Sequence, residues 1–470
     1  MYSVSLKDQR TVSPIIRRLF GLLRDDSLRA RAFRGAALTF LGFGSQQFLR
    51  LLSNLLLTRL LFPEAFGLMA LVTVVLTGLQ MFSDTGLHVS IVQSKRGEDP
   101  VFLNTAWTLQ IIRGVFLGLI AAALAVPLAA FYDQPQLIAL LPVAGLTTVI
   151  MGLQSTKEFV ANRRLTLGRL TVIELVSQGA GIVLMVILAY LYRSVWALLI
   201  GALFAAALRS VLSHVALPGQ ANRLAWEREA FYELFHFGKY IFVSSIAGFL
   251  INNADRAVLG KFVSIGMLGI YNIGFFMASV PFMLSLRFTN RVLLPIYSQS
   301  PPKEGAANRR NVRQTRFLLT GGLVLLGFLL SLTGDWLIGV LYEDAYDLAR
   351  PVMVLMSVSL MPPMVTHAYG ALLLGAGNSR DFTILLLILS TVQMALLIFT
   401  IKAFGLLGAI FTPGLSTLLV YPATDYFARR EGGWDPLLDF AFALVIGLGA
   451  AVVLYFNGGA IPALLASIPQ

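Results

Sequence analysis

Long apolar stretches alternate with short charged ones along the whole chain. Runs of about 20 residues, the length a helix needs to cross ~30 Å of hydrocarbon, fall at 36–60, 65–83, 105–131, 136–158, 168–192 and 194–216. A polar stretch at 217–237 separates them from a second set at 238–260, 265–288, 314–341, 349–376, 380–402 and 405–428. A thirteenth run at 437–457 follows Glu431-Gly432-Gly433-Trp434-Asp435-Pro436. The pattern predicts an all-α polytopic membrane protein with an N-terminal segment 1–35, a six-helix N-lobe 36–216 and an inter-lobe linker 217–237. A six-helix C-lobe 238–428 and an extra helix with a short tail, 429–470, complete it. Pro63-Glu64 marks one helix start, with proline in the first turn and a carboxylate on the positive dipole end.

Composition agrees. Of 470 residues 57% are hydrophobic and 13% charged, with a mean hydropathy of +0.77, whereas soluble domains run nearer 45–50% and about 25%. Little of the chain is left for a soluble domain.

The net charge of +12 raises the question of a nucleic-acid partner, and the positions of the basic residues answer it. Turns on the side of the N-terminus hold 28 of the 36 Lys and Arg; the opposite side holds Arg59, Arg193, Arg256, Lys261, Arg350 and Lys402, while Arg50 and Arg113 lie within helices. This asymmetry is the positive-inside signal and predicts a cytoplasmic N-terminus, with no nucleic-acid surface. Within residues 1–35, Ile15, Ile16, Leu19, Phe20, Leu22 and Leu23 interleave with Arg17, Arg18 and Arg24. That is the pattern of an amphipathic helix on an anionic membrane face or of a solvated basic tail; the apolar residues are too scattered for a signal-peptide core.

Most catalytic chemistry lacks its residues. There is no cysteine, so no disulfide, thiol nucleophile or cysteine-ligated metal is expected. The pairs Gly238-Lys239 and Gly260-Lys261 lack the upstream glycine and following Ser/Thr of a phosphate-binding loop. His88, His214, His236 and His367 have no ligand spacing, and no Gly-x-Ser-x-Gly elbow occurs. The expectation is a non-enzyme without metal or cofactor.

Polar residues inside apolar runs are costly, and they face a cavity or one another. The first run carries Gln46, Gln47, Arg50, Ser53 and Asn54, the third Arg113 and the fifth Glu174 and Gln178. The seventh carries Asn252, Asn253, Asp255 and Arg256, the eighth Asn272 and the twelfth Asp425. Arg50 and Arg256, well inside, point to function; Glu174, Arg59 and Asp425, near ends, suit interhelical bonding.

The two sets of six repeat. Arg59-Leu60-Leu61-Phe62-Pro63-Glu64-Ala65-Phe66-Gly67-Leu68 matches Lys261-Phe262-Val263-Ser264-Ile265-Gly266-Met267-Leu268-Gly269-Ile270 at an offset of 202 residues. Both sets start on the same side, as parallel repeats about an axis along the membrane normal do.

These residues carry a resemblance. Leu57-Thr58-Arg59 through Leu68, then Phe82-Ser83-Asp84-Thr85-Gly86-Leu87 and Ile91-Val92-Gln93, are similar to the opening of Wzx-type polysaccharide flippases. Asp255-Arg256-Ala257-Val258-Leu259-Gly260 with Leu268-Gly269-Ile270-Tyr271 resembles that family's seventh–eighth helix junction. The resemblance implies the MOP (MATE-like) transporter fold, two six-helix lobes around a central cavity. It also implies a transporter moving undecaprenyl-diphosphate-linked oligosaccharides outward across the bacterial inner membrane, with colanic-acid-type exopolysaccharide exporters the most similar. Implied partners are the lipid-linked oligosaccharide, membrane lipids and a polysaccharide polymerase or export machinery. Lipid II flippases carry two further helices where this chain has one clear extra.

A diphosphate crossing hydrocarbon needs positive charge to replace its lost hydration. Arg50, Asn54, Arg113, Asn252 and Arg256 are the expected substrate-binding residues, and Asp255 and Glu174 the possible coupling-ion sites. At the repeat offset Arg50 falls opposite Asn252 and Asn54 opposite Arg256. The alternative pairs the arginines with Glu174 and Asp255, where they only hold helices together. A multidrug or small-molecule antiporter, which would favour acidic and aromatic cavity residues, and a polymerase or ligase, which would need a long outer loop, are the rival functions. The longest outer loop is only the stretch around Glu343-Asp344-Ala345-Tyr346-Asp347.

Overall fold

Proline, glycine and short polar side chains set the helix ends. Helix α1 (Leu28–Thr58) is followed by α2 (Pro63–Met81), which starts with Pro63 in its first turn beside Glu64, as the sequence predicts. After the short α3 (Leu87–Gln93), the Asp99 side chain accepts from Val101 N–H and starts α4 (Pro100–Ala123). The chain continues through α5 (Ala125–Tyr132), α6 (Leu137–Gly152), α7 (Lys157–Arg163), α8 (Leu167–Tyr192) and α9 (Trp196–Val215). The second half comprises α10 (Arg228–Phe262), α11 (Ile265–Ala278), α12 (Val280–Phe288), a π-helical turn over Thr289–Leu293 and α13 (Leu294–Gln299). Then come α14 (Ala306–Leu341), α15 (Ala349–Ser359), α16 (Met361–Gly375), α17 (Ser379–Arg430), α18 (Pro436–Asn457) and α19 (Ile461–Leu465).

The computed structural model describes residues 28–84, 86–164, 166–457, 459 and 461–465. No β-strand occurs among them. All thirteen apolar runs fall on helices. Among the described residues eight helical segments are long and apolar enough to cross a membrane, or ten if the bent pairs α6/α7 and α11/α12 each count as one. The 52-residue α17 contains two of the runs and breaks between them at Gly405, whose φ of 57° suits only glycine. Two sequence boundaries move: α10 begins at Arg228, so the non-helical linker is 217–227, and α14 begins at Ala306. Of the expected amphipathic segment 1–35, residues 1–27 lie outside the described residues.

Helices of the first half pack mainly among themselves (α4 on α6, α8 on α9, α1 on α8), and those of the second half likewise (α10 on α17, α14 on α15, α16 on α17). Small residues allow this in an apolar solvent that supplies no hydrophobic driving force between helices. A Cβ on Gly114 of α4 would sit 2.6 Å from Thr148 O of α6, and one on Gly181 of α8 would sit 2.9 Å from Gly201 O of α9. The halves meet chiefly through α2, which packs against α10 and α11.

Candidate functional site

Between the halves lies a cavity of about 1120 Å³. Its walls are helical stripes at i, i+3/i+4 spacing: Phe43, Gln46, Gln47, Arg50, Ser53 and Asn54 on α1, and Thr171, Glu174, Ser177 and Gln178 on α8. The opposite wall carries Asn253 and Arg256 of α10, then Asn272, Ser279, Met283, Arg287 and Arg291 along α11, α12 and the π-turn. The π-turn, closed by Leu294 N–H donating to Thr289 O, carries Arg291, which lines the cavity.

The contacts order the site by depth. Near the end of the bundle that holds the linker, the Arg287 guanidinium lies 3.8 Å from the Phe43 ring centroid. One turn deeper Gln47 reaches Met283 Sδ at 3.4 Å. Deepest, Arg256 Nε donates to Asn272 Oδ1 (3.1 Å), and its Cζ lies 4.2 Å from the Phe275 centroid. Arg50 has no hydrogen-bond or ion-pair partner among the described residues, and it feels the charge of Arg256 across the cavity.

Past Arg256 the halves close on each other. Tyr346 Oη donates to Leu61 O (2.8 Å) with its ring edge-on to Phe66, and Tyr132 Oη donates to Ala257 O (3.2 Å). Lys261 pairs with Asp133 at 2.8 Å. The cavity therefore reaches toward the linker end and is shut at the distal end.

Arg209 of α9 forks between Glu158 (3.0 Å) and Glu174 (3.1 Å), and Gln46 Nε2 donates to Glu174 Oε2 (2.8 Å). Four cavity arginines, Arg50, Arg256, Arg287 and Arg291, have no carboxylate partner among the described residues.

The sequence-predicted residues separate accordingly. Arg50, Asn54, Glu174 and Arg256 line the cavity. Arg113 does not: its Nε donates to Ser83 Oγ (3.0 Å) and Nη2 to Gln80 O (2.6 Å), so it caps the last turn of α2. Asn252 donates to Gly248 O on its own helix (2.8 Å), and Asn253, about 100° around the helix, takes the cavity face. Asp255 is buried off the cavity, where Oδ2 accepts from Tyr271 Oη (2.7 Å) and Oδ1 has no partner. Neither arginine–carboxylate pair of the alternative reading forms, because Arg209 occupies Glu174 and Tyr271 occupies Asp255. Arg209, Arg287 and Arg291, which read in the sequence as topology charge alone, also line the cavity. The stripe Asn272, Phe276, Ser279, Met283, Arg287, Arg291 was the available signal.

Comparison with known proteins places this geometry. A family model described as polysaccharide biosynthesis protein matches residues 56–351. The chain belongs to that family. It is 21% identical to the teichuronic acid biosynthesis protein TuaB of Bacillus subtilis over 64% of this chain and 62% of that one. It is 25% identical to the succinoglycan biosynthesis transport protein ExoT of Rhizobium meliloti over 65% and 61%. It thus spans about six tenths of the length of these two relatives; to the lipopolysaccharide biosynthesis protein WzxC of Escherichia coli it is 22% identical over 74% and 70%. In structure it resembles the lipid II flippase MurJ in an inward closed conformation (TM-score 0.67, 12% identity, 91% of this chain and 100% of that). It also resembles an inward-facing multidrug resistance MATE family transporter of the MOP superfamily (0.60, 13%, 82% and 94%). The fold is that of MOP transporters.

Proposed function

We propose that this protein is a transporter, not an enzyme, that flips undecaprenyl-diphosphate-linked oligosaccharide repeat units between membrane leaflets by alternating access, for exopolysaccharide or O-antigen-type synthesis. The observation that carries this is the set of four cavity arginines without carboxylate partners. Guanidinium groups gathered on a membrane-embedded wall, Arg50 facing Arg256 and Arg287 beside Arg291, repel one another until an anion joins them. Each can bind a phosphate through two parallel N–H donors. A cationic drug would be repelled by the same wall, which disfavours the multidrug reading.

The direction follows from the basic asymmetry: with the linker end cytoplasmic, the cavity faces the leaflet on which the lipid-linked sugar is assembled. The two halves act as the rocking lobes, and residues 217–227 join them along the inner surface. The relatives' names, teichuronic acid, succinoglycan and lipopolysaccharide biosynthesis, support a polymer precursor as cargo and a polymerase or export machinery downstream.

Purified protein in liposomes tests the proposal. A labelled undecaprenyl-diphosphate-linked oligosaccharide should equilibrate between leaflets without nucleotide, since the sequence holds no phosphate-binding loop. No equilibration, or strict dependence on ATP with no other protein present, would overturn it.

A further inference from the structure

The two walls of the cavity differ in chemistry. The wall from α10 to the π-turn presents Arg256, Arg287 and Arg291, and none of its lining residues is a carboxylate. Beside them stand Ser279 and the amides Asn253 and Asn272, both of whose oxygens accept from Arg256, so this wall offers mainly donors. On the wall from α1, α7, α8 and α9, the two arginines Arg50 and Arg209 are equalled in number by Glu158 and Glu174, both of which bond Arg209. Among these run side-chain amides that both donate and accept: Gln46, Asn54, Asn162 and Gln178. Ser177, on the same wall, is 2% exposed, and its Oγ has no hydrogen-bond partner. A buried hydroxyl left without a partner is rare and costly.

A diphosphate offers acceptors only, so two carboxylates beside it would repel it. Sugar hydroxyls both donate and accept, and so match amides, carboxylates and a free serine hydroxyl. We infer that the cavity divides its cargo, the α10–π-turn wall holding the diphosphate and the α1/α8 wall reading the hydroxyls of the first sugars, with Ser177, Gln178 and Gln46 as specificity-determining residues. This rests on the function proposed above and adds which wall discriminates the glycan.

The test uses the full-length protein in nanodiscs and three probes: undecaprenol, undecaprenyl diphosphate, and undecaprenyl diphosphate bearing a neutral oligosaccharide. Wild type should rank them in rising affinity. Ser177→Ala and Gln178→Ala should weaken the glycolipid roughly tenfold, the scale of one lost hydrogen bond, and the sugar-free diphosphate less than about twofold. Arg287→Gln with Arg291→Gln should weaken both diphosphate probes together. Ser177 has no bond to lose, so its alanine variant keeps the fold even if Gln178→Ala, which breaks a 3.1 Å bond to Gln46 O, does not. Equal loss on both diphosphate probes in Ser177→Ala, or loss confined to the glycolipid in the arginine variant, overturns the division while leaving the transporter proposal standing. A wild type that binds undecaprenyl diphosphate no better than undecaprenol overturns both.

Discussion

Gly67 of α2 and Gly269 of α11, 202 residues apart, face each other where the two halves meet at the distal end. A Cβ on Gly269 would stand 2.0 Å from Pro63 O and 3.0 Å from Gly67 N, and one on Gly67 would stand 1.9 Å from Ile265 O. The repeat has thus placed a glycine from each copy against the other copy's backbone. Backbone cannot yield as a flexible side chain can, so Gly269→Ala must part the helices, at an overpacking cost of about 1–3 kcal/mol. The strain is relieved when the halves separate distally, so the variant should favour the distally open state. Thr73→Cys, on the cavity wall, reports this in the cysteine-free chain. An impermeant thiol reagent added on the distal side should label it faster with Gly269→Ala than without; unchanged labelling would show that the contact does not gate that end.

This pair was legible in the sequence as a repeat, because glycine and proline at turns leave a one-dimensional signature. The apolar runs were legible for the same reason. Rotation about each helix was not. Between Asn252 and Asn253 one residue decides which side chain meets the cavity, and only packing against α11 and α17 settles it. Arg113 looked like a cavity cation because nothing local reveals that the carbonyl of Gln80, on another helix, awaits a donor. Asp439 and Arg316, the most deeply buried ion pair among the described residues, went unremarked as partners, since each sits near the edge of an apolar run and their partnership spans 123 positions.

Arg50 and Arg256 differ in how they are held, and their variants should differ too. Arg50→Gln removes a charge that has no protein partner, so expression and thermal stability should stay near wild type while glycolipid transport is lost. Arg50→Lys keeps the charge but not the fork and should restore transport in part. Arg256→Gln also gives up the bond to Asn272 and the Phe275 contact, and should lower stability by about 1 kcal/mol besides abolishing transport. Normal export by Arg50→Gln would remove it from the site.

Topology can be read with the same chemistry. Ser194 lies between α8 and α9, and Ser300 directly after α13, at opposite ends of the bundle. With a cytoplasmic N-terminus, Ser194→Cys should react with an impermeant reagent added outside intact cells, and Ser300→Cys only after lysis. The reverse pattern would invert the proposed direction of transport.

Acid should loosen the turn before α4. Arg96 bridges Asp99 and Glu227, each at 2.6 Å, and Ser94 donates to Glu233 at 2.6 Å, pinning 217–227 and the start of α10 to the turn before α4. The hydrogen bond from Arg96 holds the Asp99 carboxyl below its ordinary value, and the bond from Arg164 does the same for Glu98. A carboxyl so depressed contributes stability above its unfolded pKa of about 4 and loses it as pH falls through the lower folded value. A fluorophore on Lys95→Cys should therefore keep high anisotropy at neutral pH and lose it below about pH 4, whereas one on Ala221→Cys, beside Asn222 and its neutral bonds to Ser155 and Thr156, should not respond. Arg96→Ala should lower the Lys95→Cys anisotropy at neutral pH too, and added salt should act in the same direction, because these groups are only half-buried.

The Arg316–Asp439 pair fixes α18 to the second half. Arg316, 1% exposed, donates from Nη2 to Asp439 Oδ1 at 2.9 Å and from Nη1 to Tyr369 Oη at 3.1 Å. Tyr369 and Tyr421 both donate to Asp439 Oδ2. Asp439 thus accepts three hydrogen bonds, one of them from a guanidinium, and the cluster acts as a lock between α14, α16, α17 and α18. Breaking a buried pair from one side leaves an uncompensated charge and costs about 3–5 kcal/mol. Arg316→Met and Asp439→Leu should each lower the melting temperature sharply, as followed by fluorescence of the detergent-solubilised protein. The double variant should recover most of the loss, because two apolar side chains leave no orphan charge. If Asp439→Asn instead melts like wild type but stops transport, the aspartate is a proton carrier and the lock assignment is wrong.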